Sequence, residues 1–375
     1  MHIDHERCNI AKIAELLMAL LPLHEFHQAA GAVFAEVNGQ EVVAHYGDWL
    51  AEYAALREGA AVLDLSFRGR LCALGVDAQA FLNGQVTNNV KDLKVGEGCY
   101  AALVSAKGKL HSDLNIYRLE NELLLDFEPG LSESVSQRLE RFVIAEDVQI
   151  IDASPHYGLL SVQGPKAGEV VASVSPQFII PTKAMSVTKV TEADFGEIYL
   201  VSHPRLRGQG VDMFVPVAGM KEAADRLLAR GGRLCGWQAL ETSRIEAGVA
   251  RFGADMDETN LAPEALDTRA ISYSKGCYIG QEVIARIRTY GQVAKSLRGL
   301  KLSSEGKEPP PRGTKLFHGS KEVGNITSAV WSPAMKAIIA MGYVRREAKQ
   351  TGTKLEARTP GGSVPAEIVE LPFPT

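Results

Sequence analysis

Three consecutive prolines, Pro309-Pro310-Pro311, constrain this 375-residue chain more than any other feature. Each proline fixes φ and removes a backbone donor, so neither a helix nor a central strand can run through them. Flanked by Glu308 and Arg312-Gly313, they form the sharpest linker-like break in the sequence. A strand is expected just before the break, over 296–302. Beyond it, short segments at 314–317, 322–327, 337–342 and 353–357 are bounded by Gly, Ser or Pro. That spacing predicts a small all-β domain.

Upstream, strands and helices mix irregularly. A strand is expected over 158–162, broken at Gly164-Pro165 and followed by a helical stretch at 166–171. Another helix is expected over 220–230, stopped by Gly231-Gly232, and another over 237–247, stopped by Gly248. The length suggests two or three domains, and no repeat of solenoid length is present. The fold class is therefore α+β followed by a β-barrel or sandwich. Apolar residues at 46% and charged residues at 23% are the balance of a soluble globular protein. Forty basic against 45 acidic residues leave a formal charge of -5, which disfavours a nucleic-acid partner.

The only long apolar run, 10–23, is interrupted by Lys12 and Glu15 and is too short to span a bilayer. Ala30-Gly31-Ala32 resembles a signal-peptide cleavage site, but Asp4 and Glu6 stand where a basic segment belongs. Ile10, Ile13, Leu17 and Leu20 instead recur at helical spacing, predicting an amphipathic helix packed on the body. The five cysteines, Cys8, Cys72, Cys99, Cys235 and Cys277, are odd in number and form no CxxC. A disulfide framework and a Cys-only metal site are disfavoured, and a reducing cytoplasm fits.

Several familiar motifs fail on their context. Gly96-Glu97-Gly98-Cys99-Tyr100-Ala101 fits GxGxxA, but a charged turn with Asp92 and Lys94 precedes it where a buried strand should be. His24-Glu25-Phe26-His27 spaces its histidines three apart, which is not HExxH; a surface or packed pair is the better reading than zinc. A calcium loop started at Asp255 would need Gly at its sixth position and Glu at its twelfth, and meets Asn260 and Leu266.

The informative stretch is Lys275-Gly276-Cys277-Tyr278-Ile279-Gly280-Gln281-Glu282. Its two glycines predict a tight loop, and Val283, Ile284 and Ile287 then give an apolar helix face, with Gln281 and Glu282 in the first turn. Cys277 lies shortly before that helix and two residues from Lys275, both of which favour a thiolate. The ordinary reading of a single cysteine is a small buried hydrophobe.

This octapeptide resembles the signature of the YgfZ-like branch of the folate-binding superfamily that also contains the glycine-cleavage T-protein (GcvT), an aminomethyltransferase. The stretch from Tyr46 through Ser66, ending Leu63-Asp64-Leu65-Ser66, resembles the first T-protein domain, and Tyr157 to Pro165, with Val162-Gln163-Gly164-Pro165, its central strand and turn. Arg244-Ile245-Glu246-Ala247-Gly248 and Phe252-Gly253-Ala254-Asp255-Met256-Asp257-Glu258-Thr259 resemble a second hallmark. Gly324-Asn325-Ile326-Thr327-Ser328 and Ser332-Pro333 look like its C-terminal barrel.

The resemblance implies a three-domain cloverleaf around a central funnel that holds tetrahydrofolate or a one-carbon derivative. The implied division is a discontinuous folate-binding domain over 1–70 and 152–267, an inserted α+β domain over 71–151, and the signature loop, helix and β-barrel over 268–375. Asp212 falls where T-proteins place a Glu that grips the pterin, and a carboxylate fork matches the pterin's amino and ring N–H donors. Arg244 matches an arginine of the folate site, where a guanidinium suits folate carboxylates. T-proteins carry paired aspartates at Ser112-Asp113, the first essential for transfer. Ser112 stands in that place, and an unassisted serine can neither accept a proton at neutral pH nor steady developing positive charge. Arg205 replaces a T-protein tyrosine, and the usual basic tail is absent at Pro372-Phe373-Pro374-Thr375.

The leading implication is therefore a tetrahydrofolate-binding accessory protein that supports iron–sulfur cluster assembly or repair in client enzymes, with Cys277 as its reactive thiol. The sequence alone leaves open whether the chain is an enzyme. The alternatives are an aminomethyltransferase or related folate-dependent one-carbon transferase, and a folate-free scaffold. Folate and iron–sulfur clients are the expected partners, with no nucleic acid, membrane or resident metal.

Overall fold

The computed structural model describes residues 19–206, 208–266, 268–291, 293–303 and 308–374. Among these residues the chain builds a six-stranded sheet, a five-stranded sheet and a closed six-stranded barrel, preceded by a hairpin of Val33–Val37 and Gln40–His45. The fold is two α+β units followed by a β-barrel, as the sequence pattern led one to expect.

The six-stranded sheet has the order Val187–Glu192, Gly196–Ser202, Gly210–Pro216, Tyr157–Gln163, Ala61–Asp64 and Arg233–Leu234. Neighbours are antiparallel except the last pair. The helix Met220–Ala229 buries Met220, Ala223, Ala224 and Leu227, the i, i+3, i+4, i+7 stripe that a half-exposed helix needs. Those side chains meet Val170 and Val171 of the helix Ala167–Ala172 and Leu160 and Val162 of the sheet. Each large aliphatic group so buried contributes roughly 1.5–3 kcal/mol.

After Asp64 the chain leaves this sheet, builds the whole five-stranded sheet between Gly69 and Asp152, and returns at Tyr157. The inserted sheet runs Gly98–Val104, Leu110–Arg118, Glu122–Phe127, Gly69–Leu74, Gln149–Asp152. Helices Ala78–Gln85 and Ser132–Glu140 cover one face through Phe81, Leu82, Val135 and Leu139. Side chains alternate along a strand, so Leu114 and Ile116 enter this core and their neighbours Asp113, Asn115 and Tyr117 are turned to the other face.

The proline break separates Lys295–Leu302 from Lys315–His318, and the barrel closes through Lys321–Ser332, Ala337–Arg345, Lys354–Thr359 and Gly362–Val369. The helix Trp237–Glu246 docks the barrel on the rest: its Ile245 packs with Ile339, Met341 and Phe373. The helix expected over 10–23 lies mostly outside the described residues. Its last part is not helical: Ala19 bridges Gln40, and a turn leads into the helix His24–Ala29. No helix among the described residues is long and apolar enough to cross a membrane.

Candidate functional site

The uncovered face of the inserted sheet is polar where it meets the other two units. Asp126 stands in register with Asn115 and accepts its amide N–H at 2.9 Å. Arg68, in the turn before Gly69–Leu74, donates to Asp126 at 2.7 Å and also to Glu128. From there charges alternate in both directions. Arg205 bridges Asp126 at 2.9 Å and Asp212 at 2.7 Å, reaching the six-stranded sheet. Glu128 meets Arg251 at 3.5 Å, Arg251 meets Glu241 at 3.1 Å, Glu241 meets Arg244 at 2.8 Å, and Arg244 pairs with Asp255. Asp255 then accepts from Thr327 and Ser328 of the barrel at 2.6 and 2.7 Å. A continuous alternation of carboxylates and guanidiniums therefore joins all three units. Buried charges need ion-pair or hydrogen-bond partners, so these contacts position one unit against the next. Burial alone would raise the pKa of Asp126, but Arg205 and Arg68 outweigh it and hold it well below the usual carboxylate range.

Asp113 lies on this face outside the alternation. Its Oδ2 accepts the Tyr100 hydroxyl at 2.9 Å, while its Oδ1 is buried with no hydrogen-bond partner among the described residues. Burial, and next the charge of Glu128, push its pKa from 3.8 up to about 6. Arg251, whose guanidinium lies 4.8 Å from the Trp237 ring centroid, lines the same region through Glu128.

The four folate candidates are not brought together as the sequence suggested. Ser112 is fully buried in register with Leu103, and its hydroxyl donates to the backbone carbonyl of Asp113 at 2.9 Å. Leu103 belongs to the core under the two helices, so Ser112 faces that core and Asp113 faces the polar side. Ser112, expected to stand in the place of a lost catalytic carboxylate, is thus turned away from the polar face, and the retained carboxylate of Asp113 is turned toward it. Asp212 is fully buried and its oxygens are already engaged by Ser161, His203 and Arg205. Arg244 is likewise committed. Its guanidinium contacts Asp255, Glu241 at 2.8 Å and Ser328 at 2.8 Å, leaving no free fork for a folate carboxylate as the site stands.

The signature loop packs beside Asp113. Tyr278 is buried with Ala102, Val104 and Leu110, and Ala102 is the register partner of Asp113. Cys277 is exposed, which removes the ordinary reading of a small buried hydrophobe. Lys275 is buried, and its ammonium donates to the carbonyls of Asn83, Val86 and Asn88 at 2.6, 2.8 and 2.5 Å. The expectation that Lys275 serves Cys277 is thus corrected: its amine is directed into the inserted unit, and burial pushes its pKa down to about 8. Gly276 is exposed. Gly280 precedes the helix Gln281–Tyr290 at φ 84, where a Cβ would fall 2.5 Å from the Ser105 carbonyl oxygen. Gln281 and Glu282 occupy the first turn of that helix.

Sequence reasoning missed Arg68, Asp126, Glu128, Glu241 and Arg251. A signal for two of them was present: Asp126 and Glu128 sit two apart at the end of the apolar run Leu123-Leu124-Leu125, so both fall on one face of a strand. His24 contacts Glu41, and His27 lies between Asp64 at 2.9 Å and the Tyr46 hydroxyl at 2.8 Å. No cluster of metal-ligating side chains occurs among the described residues.

Comparison with known proteins agrees with this architecture. Residues 23–275 match the GCVT N-terminal domain, and residues 295–374 match the glycine cleavage T-protein C-terminal barrel domain. An aminomethyltransferase of Saccharopolyspora erythraea is 29% identical over 359 residues, covering 94% of this chain and 97% of that protein. One from Herpetosiphon aurantiacus is 26% identical and covers 95% and 98%. The crystal structure of glycine cleavage system aminomethyltransferase T from Bartonella henselae shares the fold, with a TM-score of 0.86 at 24% identity over 95% of this chain and 98% of that one. With both of its characteristic domains present in order, the chain belongs to the glycine cleavage T-protein (GcvT) family.

Proposed function

We propose that the chain binds tetrahydrofolate or a one-carbon derivative at the polar face beside Asp113 and acts as a folate-dependent transferase of the aminomethyltransferase type. The observation that carries this reading is the Asp113 carboxyl. It is buried, has one oxygen without a partner among the described residues, and is pushed by burial up to a pKa of about 6. Such a group can take up or release a proton near neutral pH, as general acid–base catalysis requires. Tetrahydrofolate supplies, when bound, the nitrogen that receives the one-carbon unit. Asp113 offers an acceptor for a donor on the ligand, and Glu128, which Arg251 contacts, and Arg68 set the charge around it. Arg244 holds Glu241 and Asp255, and so the position of Arg251.

The test pairs a tetrahydrofolate fluorescence titration with a transfer assay using an aminomethylated lipoyl carrier. Asp113→Asn should lower turnover by roughly a hundredfold or more while folate affinity stays close to the parent's. Ser112→Ala should retain turnover, because its hydroxyl faces the core. Full activity in Asp113→Asn would end this reading.

The exposed Cys277 favours a second reading. In it the chain is a YgfZ-like accessory protein that binds folate and supports iron–sulfur cluster assembly or repair in client enzymes through its thiol. Folate binding with no carrier turnover, together with failed clients in a Cys277→Ser strain, would support that reading over the first. A chain that binds no folate at all would be a scaffold.

A further inference from the structure

We infer that Arg205 is a built-in occupant of the pterin acceptor: its guanidinium holds Asp212 where the aminopyrimidinone edge of a folate would bind, so ligand and side chain exclude one another. This rests on the folate reading above and on the resemblance that matches Asp212 to the pterin-gripping Glu of T-proteins. Asp212 lies on the strand Gly210–Pro216, fully buried, with Ser161 donating to Oδ1 at 2.7 Å and His203 Nδ1 3.0 Å from Oδ2. Arg205 brings two neighbouring N–H groups to the same carboxylate. Nε lies 3.1 and 2.9 Å from the two oxygens, and Nη2 lies 2.7 Å from Oδ2.

That pair of donors on a planar amidine unit is also what an aminopyrimidinone ring presents through its amino group and ring N–H. At the carboxylate the two present the same donor geometry, the guanidinium as a cation and the ring as a neutral pair of donors. They differ in what each leaves behind. If Arg205 withdraws, Asp126 keeps its 2.7 Å contact with Arg68, whereas Asp212 loses its cationic partner. A buried carboxylate in that state strongly favours a new pair of donors. Arg205 therefore has somewhere to leave from without stranding Asp126, and Asp212 has reason to take a ligand of the same shape. Folate affinity is then reduced by the fraction of molecules in which Arg205 is seated.

The test titrates tetrahydrofolate into the parent, Arg205→Ala, Arg205→Lys and the double variant Arg205→Ala/Asp212→Asn. Arg205→Ala should bind about tenfold more tightly than the parent. Arg205→Lys, which keeps the charge and loses the fork, should fall between them and serves if Arg205→Ala does not fold. The double variant should lose the gain. Low-millimolar guanidinium, far below denaturing levels, is the second probe. It should raise the melting temperature of Arg205→Ala saturably, compete there with folate, and leave the parent unchanged. Equal or weaker folate binding by both single variants makes Arg205 a fixed part of the site and overturns the inference. So does an identical guanidinium response in parent and variant. Guanidinium uptake by Arg205→Ala alone, with no folate binding by any form, would keep the occupied acceptor and remove the folate reading.

Discussion

Asp113 carries a stability signature that can be measured without any substrate. Its carboxyl rises from 3.8 in an open chain to about 6 in the fold, chiefly through burial. Between those values the folded protein holds the extra proton, so this group's contribution to stability falls as pH rises through that window. The full effect is about 3 kcal/mol. Asp113→Asn removes it and should stabilise the protein near neutrality. Urea unfolding at about pH 4.5 and about pH 7.5 would show the parent–variant gap opening at the higher pH; the same gap at both would contradict the burial of a titrating carboxyl. At Cys277 the expectation is one of access. Cys235 is buried, and burial raises the pKa of Cys72 and Cys235 and pushes Cys99 up to about 12. Limiting iodoacetamide followed by peptide mass spectrometry should label Cys277 ahead of these three. Faster labelling at any of them would remove the basis for a working thiol there.

At the scale of elements, the signature loop is held by what its other residues do, leaving Cys277 at the surface. Lys275 closes three backbone carbonyls on the inserted unit, Tyr278 fills the apolar patch around Ala102 and Val104, and Gly280 allows the backbone to pass the Ser105 carbonyl. Lys275→Met keeps the aliphatic stem and strands those carbonyls, so it should destabilise by roughly 2–4 kcal/mol. Hydrogen exchange should then quicken first in 271–290. A change confined to Cys277 labelling, with unchanged stability, would restore the direct service of Lys275 to the thiol. Gly280→Ala should behave similarly, because a Cβ at φ 84 also meets the carbonyl.

For the whole molecule, the helix Trp237–Glu246 is the joint. Its Glu246 accepts from Tyr53 at 2.8 Å and from Ser332 of the barrel, while Arg244 reaches Asp255 and Ser328. Arg244→Met would leave Asp255 buried without its cation and should cost about 3–5 kcal/mol. Thermal unfolding should fall in midpoint, and limited proteolysis should open the barrel first. A loss of folate affinity with unchanged melting would instead return Arg244 to direct ligand contact.

The chemistry of local segments was legible in the amino-acid order. Prolines at 309–311 had to break regular structure, and the short apolar segments after them had to pair as strands. Met220, Ala223, Ala224 and Leu227 had to line one helix face, and Gly248, at φ 68, could end the helix before it. The family, too, could be read from motifs. What no local pattern could decide was the direction and partnership of the polar groups. Ser112 and Asp113 are adjacent, and only the sheet's register, with Leu103 opposite one and Ala102 opposite the other, determines which enters the core. Arg205, Asp126 and Arg68 are far apart in sequence and meet only because two sheets bring their polar faces together. Pairing among buried charges depends on which groups lose water in company, and that is a property of the assembled fold.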